Sequence, residues 1–205
     1  MDPEKIYQIL RDRTIWLDLR PESILKISDL ANEFGVSRTP VKEALIQLRA
    51  EGWVFGNGSQ YVVTPLSMDR FREITEIRMI LEVEANVLAM NRFNAEDFNA
   101  LGTIDKDLRK FDRSVSTRRM AEADFEFHSV IYKATKNKQL ARKLSRLLAQ
   151  NMRFWLSIPR MIEPDQYYKD VEDITRCIRE KDETGMRQAT RAHIRWAADG
   201  IIAHF

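Results

Sequence analysis

One short β-prone segment, residues 51–65, divides this 205-residue sequence into two stretches of helical pattern of unequal length. The segment holds two runs of β-forming residues, Trp53–Phe55 and Tyr61–Val63, separated by a glycine- and asparagine-rich stretch typical of a hairpin turn. Downstream, the pattern is helical throughout, with too few β-branched runs for a sheet. We therefore predict a mainly α protein with two domains, residues 1–66 and 67–205.

The first domain has the order helix, helix, tight turn, helix, hairpin. Its first helix is ended by Pro21, its second begins at Ser28 and stops at Gly35, and its third is capped by Ser37 and stopped by Gly52. A helix-turn-helix followed by a β-hairpin is a winged helix-turn-helix arrangement. We expect this fold in the first domain and an all-helical bundle in the second.

Composition limits the possible function classes. The net charge is only +2, so the charge balance alone does not indicate a nucleic-acid partner. The single cysteine, Cys177, excludes an intrachain disulfide and a thiolate zinc site, and it fits a reducing cytoplasm. The sequence has no signal peptide and no membrane span, which predicts a cytoplasmic protein without a membrane partner. It also has no H-E-x-x-H, G-x-S-x-G or nucleotide-binding glycine motif, so we expect no enzymatic activity.

The third helix of the first domain has two chemically different faces. Its apolar residues recur at spacings of three and four, which predicts one buried face made of Val41, Ala44, Leu45 and Leu48. Away from that face lie Arg38, Thr39 and Lys42, whose side chains suit phosphates and base edges in DNA. The residues by themselves leave two interpretations equally open, a DNA-reading helix and an ordinary charged surface helix.

The run Val36–Gly52 resembles the GntR family of bacterial transcription regulators, and the likeness extends through Ile27–Ala31 and Trp53–Val54. The resemblance implies that the wing around Gly58 reaches the minor groove of an operator. It also implies direct DNA contacts by Ser37, Arg38, Thr39 and Lys42. The wing departs from the family pattern, because Ser59-Gln60 stands where many members carry glycine flanked by basic residues. The resemblance further implies a homodimer on a pseudo-palindromic operator, most commonly a repressor.

The second domain shows six helical patterns and one candidate polar site. The approximate helical spans are 68–91, 95–112, 117–134, 137–157, 165–180 and 183–204. Asp124 and His128 are four residues apart, so on a helix they project from the same face and could chelate one ion. The alternative for such a pair is an Asp–His hydrogen bond within the core. His204, near the end of the chain, is expected on the surface.

Three segments, Arg78–Glu82, Asp124–Asn137 and Ile174–Ile194, resemble the FadR-type effector domain of GntR regulators, often called the FCD domain. That resemblance implies a helical bundle around a ligand cavity, in which many members bind a divalent metal through one aspartate and three histidines. Asp124, His128 and His193 match three of these positions, and Val171 stands at the remaining one. Valine cannot bind a metal, although Asp170 and Asp173 lie close to it in the sequence.

Two forms of the second domain's site therefore stay open. One holds a divalent zinc, nickel or manganese ion on the three matching residues, and the other is a metal-free pocket in which they hydrogen-bond an effector. Arg78 and Arg153 are candidate partners for a carboxylate effector, since guanidinium binds carboxylates bidentately. For Arg78, a local salt bridge with Glu82 is an equal alternative.

The sequence thus predicts a regulator that binds an operator and a small-molecule effector, with repression as the favoured mode. Val171 keeps a second hypothesis open, a constitutive DNA-binding regulator with a degenerate effector site. A helical metalloenzyme built on Asp124, His128 and His193 is the least favoured alternative, because no general base is evident beside them.

Overall fold

The computed structural model describes residues 1–58, 60–112, 114–158 and 164–205. Their contacts divide the chain into two compact units, Met1–Ser67 and Met68–Phe205. The elements of the first unit are α1 (Pro3–Ile15), β1 (Ile24–Lys26), α2 (Ile27–Phe34), α3 (Arg38–Ala50), β2 (Val54–Asn57) and β3 (Gln60–Val63). Those of the second unit are α4 (Met68–Arg92), α5 (Ala95–Leu108), α6 (Thr117–Ala134), α7 (Lys138–Leu156), α8 (Pro164–Glu180) and α9 (Glu183–Ile202).

The first unit is a three-helix head with a small antiparallel sheet of order β1-β3-β2. The predicted hairpin is β2 and β3, and its pairing continues to Asn57 opposite Gln60, deeper into the glycine-rich stretch than the sequence indicated. The strand β1 was not predicted, because a three-residue strand with one buried side chain, Leu25, is too short to show a period. The first helix also ends before the predicted Pro21, since Leu17 has a left-handed backbone with φ 61°.

The core of the head lies between α1 and α3. The predicted inner face of α3 is confirmed, because all four of its apolar residues are fully buried. Glu51, at the end of α3, accepts hydrogen bonds from the Tyr7 hydroxyl at 2.7 Å and from the Trp53 indole at 3.1 Å. These bonds join α1 and the start of the hairpin to α3, and so fix the orientation of the exposed face of α3.

The second unit is a bundle of helices, which confirms the predicted mainly α fold class. Five of the predicted spans agree with helices to within two residues at each end. The exception is α5, which ends at Leu108 and not at residue 112. Beyond it the backbone closes in tighter turns, in which the backbone nitrogens of Lys110 and Phe111 donate to the oxygens of Asp107 and Leu108, and Phe111 packs against the core from this turn. None of the helices in the described ranges is long and apolar enough to cross a membrane.

The buried face of α4 carries polar residues at every fourth position. Arg78, Glu82 and Asn86 are all almost completely buried, among apolar neighbours such as Val83 and Met90. Burying polar groups costs free energy unless they are paired. This stripe therefore leads to the polar centre of the bundle.

Candidate functional site

The exposed face of α3 carries the side chains predicted to contact DNA. Arg38, Thr39 and Lys42 are exposed on the first two turns, and Ser37 occupies the N-cap position with an extended backbone. The predicted cap is confirmed in position only, because the Ser37 side chain makes no capping hydrogen bond. Ser37 is exposed and directly precedes Arg38, the first residue of α3.

Arg38, Thr39 and Lys42 border a depression of about 640 Å³ on the head. Its lining residues are Ile27, Ser28, Arg38, Thr39, Lys42, Glu43, Ile46 and Gly58. The depression thus brings the tip of the hairpin together with α3 and the start of α2. Arg49 strengthens this arrangement by donating from Nη1 to the backbone oxygen of Gly56 at 3.2 Å.

Four lining residues of this surface were not predicted from the sequence: Ile27, Ser28, Glu43 and Ile46. Glu43 and Ile46 each lie four residues after a predicted contact residue, Thr39 and Lys42, so the helical period could have identified them. Ile27 and Ser28 reach this surface only through the packing of α2 against α3, which no local sequence pattern reveals.

The second candidate site is a buried cluster of Asp124, His128 and His193 on α6 and α9. The two histidine Nε2 atoms are 3.2 Å apart. The Oδ1 atom of Asp124 is 3.4 Å from Nε2 of His128 and 3.8 Å from Nε2 of His193. All three side chains are at most 2% exposed. The structure thus directs three ligand-type atoms from two helices toward one point, and we call this cluster the triad.

Two further carboxylates lie behind the triad histidines. Oε1 of Glu82 is 3.1 Å from Nδ1 of His128, and Oδ2 of Asp170 is 3.4 Å from Nδ1 of His193. Each imidazole therefore has a carboxylate on its outer nitrogen and the triad on its inner one. Outer carboxylates of this kind orient histidine ligands at metal sites.

Arg78 lies at this centre, but it is already engaged. Its Nε and Nη2 donate to the two oxygens of Glu82 at 3.0 and 3.3 Å, with both side chains buried. The structure therefore shows the local salt bridge. A carboxylate effector would have to compete with Glu82 for the guanidinium group of Arg78. The salt bridge was expected from the i,i+4 spacing and the effector contact from guanidinium chemistry, and the sequence alone could not separate the two interpretations.

The charges of the centre support one another. Burial alone would lower the pKa of His128, but the carboxylates of Asp124 and Glu82 outweigh it and raise that pKa to about 9. Burial also opposes ionisation of the two acids, yet His128 and His193 hold the pKa of Asp124 below its usual range, and Arg78 and His128 do the same for the pKa of Glu82. Arg78, Glu82, Asp124 and His128 therefore stabilise one another's charges in the interior.

Val171 is buried in the apolar core on α8, so it adds no ligand to the triad. Of the two neighbouring acids, Asp170 faces His193, whereas Asp173 is paired with Arg176 at 2.9 Å on the outside of α8. Asp170 lies on the outer nitrogen of His193, so it supports that ring and does not replace the missing ligand.

Arg153 is buried on α7. Burial, together with the charge of Arg70, lowers the pKa of Arg153 to about 10. Arg70 precedes Arg78 by eight residues on α4, or about 12 Å along the helix axis. Phe154, the residue after Arg153, packs its ring 5.0 Å from that of Phe71 in the first turn of α4, so α7 meets the start of α4 beside Arg153 and Arg78 lies about two turns further along.

The residues of the triad fit a divalent ion. The Oδ1 atom of Asp124 is buried and makes no hydrogen bond with any described residue, so it has an unused acceptor pointing at two imidazole nitrogens. The three separations suit atoms that share one ion, since zinc–ligand bonds are about 2.0–2.2 Å. One carboxylate and two imidazoles are also ligands that zinc, nickel and manganese accept.

Two buried tyrosines lie beside the triad, Tyr132 and Tyr167. The ring of Tyr132 is 5.5 Å from that of His128, and the ring of Tyr167 is 6.0 Å from that of His193. Burial and nearby carboxylates raise the pKa of both phenols, so they remain protonated. Cys177 is buried. His204 is exposed, as predicted.

Comparison with known families assigns the chain. Residues 73–195 match the FCD domain, and residues 3–59 match the gntR family of bacterial regulatory proteins. The chain belongs to the GntR family and carries an FCD domain. It is a transcriptional regulator of the GntR/FCD type, so the resemblance inferred from the sequence is confirmed.

Similar proteins of the GntR/FCD type cover most of this regulator. The Nta operon transcriptional regulator of Aminobacter aminovorans is 27% identical over 89% of this chain and 86% of its own length. The regulator LutR of Bacillus subtilis is 25% identical over 92% of this chain and 95% of its own length. The solved structure of E. coli McbR/YncC shares the fold with a TM-score of 0.81 at 19% identity, covering 98% of this chain and 97% of that one.

Proposed function

We propose that this GntR regulator binds a pseudo-palindromic operator as a cytoplasmic homodimer, represses transcription, and responds to a small-molecule effector. In this proposal residues 1–66 bind DNA, and residues 67–205 bind the effector and dimerise. The observation that carries it is the depression in which α3 and the wing tip present Arg38, Thr39, Lys42 and Gly58 together.

The chemistry of this surface suits duplex DNA. Arg38 offers a planar donor fork that matches guanine in the major groove, whereas Lys42 and the hydroxyls of Ser37 and Thr39 suit phosphates. Gly58 has a left-handed backbone with φ 65° and open space around its Cα, so the wing tip can approach a narrow groove closely.

The triad supports the proposed effector function. A divalent ion held by Asp124, His128 and His193 would supply positive charge for binding a carboxylate effector. In this proposal Glu82 and Asp170 orient the two imidazoles, and Arg78 keeps Glu82 ionised. Arg153 remains a candidate carboxylate partner.

The DNA part is tested by selecting sequences from random duplexes with the full-length protein and titrating the selected operator in a gel shift. We expect Arg38→Ala to lose sequence-specific binding and to keep the unfolding temperature of the original protein. Arg20→Ala changes an exposed arginine of the head outside the depression and should bind normally. Normal binding by Arg38→Ala would contradict this assignment of the DNA-reading helix.

The effector part is tested by metal analysis of the purified protein beside His128→Ala. About one equivalent of zinc, nickel or manganese, lost in the variant, would support a metal-dependent effector site. The buried valine at position 171 favours a second candidate function, a regulator that binds DNA constitutively. That candidate predicts an operator affinity that neither metals nor a panel of organic acids can change.

A further inference from the structure

One apolar side chain stands out on the DNA-facing side of α3. Ile46 is 41% exposed, whereas the four apolar residues of the inner face of that helix are fully buried. It lines the same depression as Arg38 and Lys42. Its place on a polar binding surface gives that surface one apolar contact to offer a ligand.

The position of Ile46 continues a row of side chains along α3. Arg38, Lys42 and Ile46 follow one another at intervals of four residues, so they lie on one side of the helix. The rise of an α-helix places Ile46 about 12 Å from Arg38 along the axis. Base pairs follow one another at about 3.4 Å, so the two side chains would meet different base pairs of one site.

The neighbours of Ile46 favour base edges over phosphates at this end of the row. Glu43 is exposed on the same lining, and its carboxylate would be repelled by phosphate groups. Ile27, which is buried, contributes another apolar wall from α2. The major-groove edge of a base pair has one apolar group, the methyl group of thymine.

We infer that Ile46 is a specificity residue that contacts a thymine methyl group in the major groove of the operator. The inference rests on the proposed DNA binding and adds to it the kind of base recognised at one position. Arg38 and Lys42 then supply polar and ionic contacts, and Ile46 supplies apolar discrimination of thymine from cytosine.

The experiment uses the full-length protein and the selected operator, in which each thymine of one half-site is replaced in turn by uracil. Uracil keeps the hydrogen-bonding groups of thymine and lacks only the methyl group. We expect one replacement to weaken binding of the original protein about fourfold, the effect of exposing one buried methyl-sized group. Ile46→Ala should bind the thymine operator more weakly by a similar factor and should no longer respond to that replacement.

Ile24→Ala is the matched control, because Ile24 is an exposed isoleucine of the head outside the depression. It should keep the full response to uracil. The inference would be overturned if no replacement affected the original protein, or if Ile46→Ala responded as strongly as that protein. A selection that enriches no sequence at all would overturn the proposed DNA binding and the inference with it, and so the two failures are distinguishable.

Discussion

Glu82 connects Arg78 to the triad histidine His128 in the buried centre. It is fully buried, accepts hydrogen bonds from Arg78, and lies 3.1 Å from the outer nitrogen of His128. Each of these groups depends on the charge of Glu82, because a buried cation without a counter-charge is strongly destabilised. Glu82 therefore contributes both to stability and to the orientation of a triad imidazole.

Replacing Glu82 with alanine should lower the free energy of unfolding by about 3–5 kcal/mol, since it leaves buried Arg78 without its carboxylate. Urea unfolding measures this change. Glu84→Ala is the control on the same helix, because Glu84 is exposed and its ion pair with Arg187 lies on the surface. The control should cost less than about 1 kcal/mol, and equal losses in the two variants would contradict the assigned role of Glu82.

Lys42→Ala should weaken operator binding and reduce the slope of log affinity against log salt by about one, because one phosphate contact releases about one counterion. Gel shifts at several salt concentrations give this slope. Lys5→Ala removes an exposed lysine of α1 outside the depression and should leave the slope unchanged. An unchanged slope for Lys42→Ala would show that Lys42 makes no phosphate contact.

For helices and strands, the sequence predicts the bounds of an element well where that element has its own capping residue or apolar period. The capping box of Asn94 and Asp97 starts α5, and the Asn137 side chain caps α7. The strand β1 could not be predicted because it is defined by pairing with β3, at Leu25 opposite Tyr61, and not by a pattern of its own.

The start of α9 offers a test of a single cap. Asp182 accepts a hydrogen bond from the backbone nitrogen of Gly185 at 2.9 Å, and a Cβ atom added to Gly185 would overlap that carboxylate. Asp182→Ala should lower the free energy of unfolding by about 1 kcal/mol because it removes the cap. Gly185→Ala displaces the same carboxylate but gains helix propensity, so its net loss should be smaller. The double variant should lose little more than the larger single loss.

Gly102→Ala provides the comparison for these cap variants in thermal or urea unfolding. An added Cβ at Gly102, in α5, meets no atom within 4 Å, so alanine should stabilise the protein by up to about 1 kcal/mol. Strictly additive losses for Asp182→Ala and Gly185→Ala would show that the two changes do not act on one cap.

The buried centre exists only at the scale of the whole second unit. Its side chains come from α4, α6, α8 and α9, with Glu82 and His193 more than a hundred residues apart in the chain. The family resemblance identified all three residues of the triad, and helical spacing by itself identified the Asp124–His128 pair. It could not show that Glu82 and Asp170 stand behind the two histidines, since that depends on how four helices pack.

At this scale we expect zinc, nickel or manganese to change operator affinity by about 5–150-fold, the usual range of coupling between two sites. Gel shifts with and without each metal measure the change. His193→Ala should abolish it, whereas His204→Ala, which alters an exposed histidine, should preserve it. Loss of the metal response in both variants, or in neither, would contradict coupling through the triad.

The burial of the triad would also control how fast an ion exchanges at that site. Its three side chains are almost completely enclosed by helices, so an ion can enter or leave only when those helices separate. Ion exchange would then be as slow as the rare opening of the bundle, however fast ions diffuse outside. A regulator built this way would average over brief fluctuations in metal supply, and it would retain its last state for as long as the bundle stays closed.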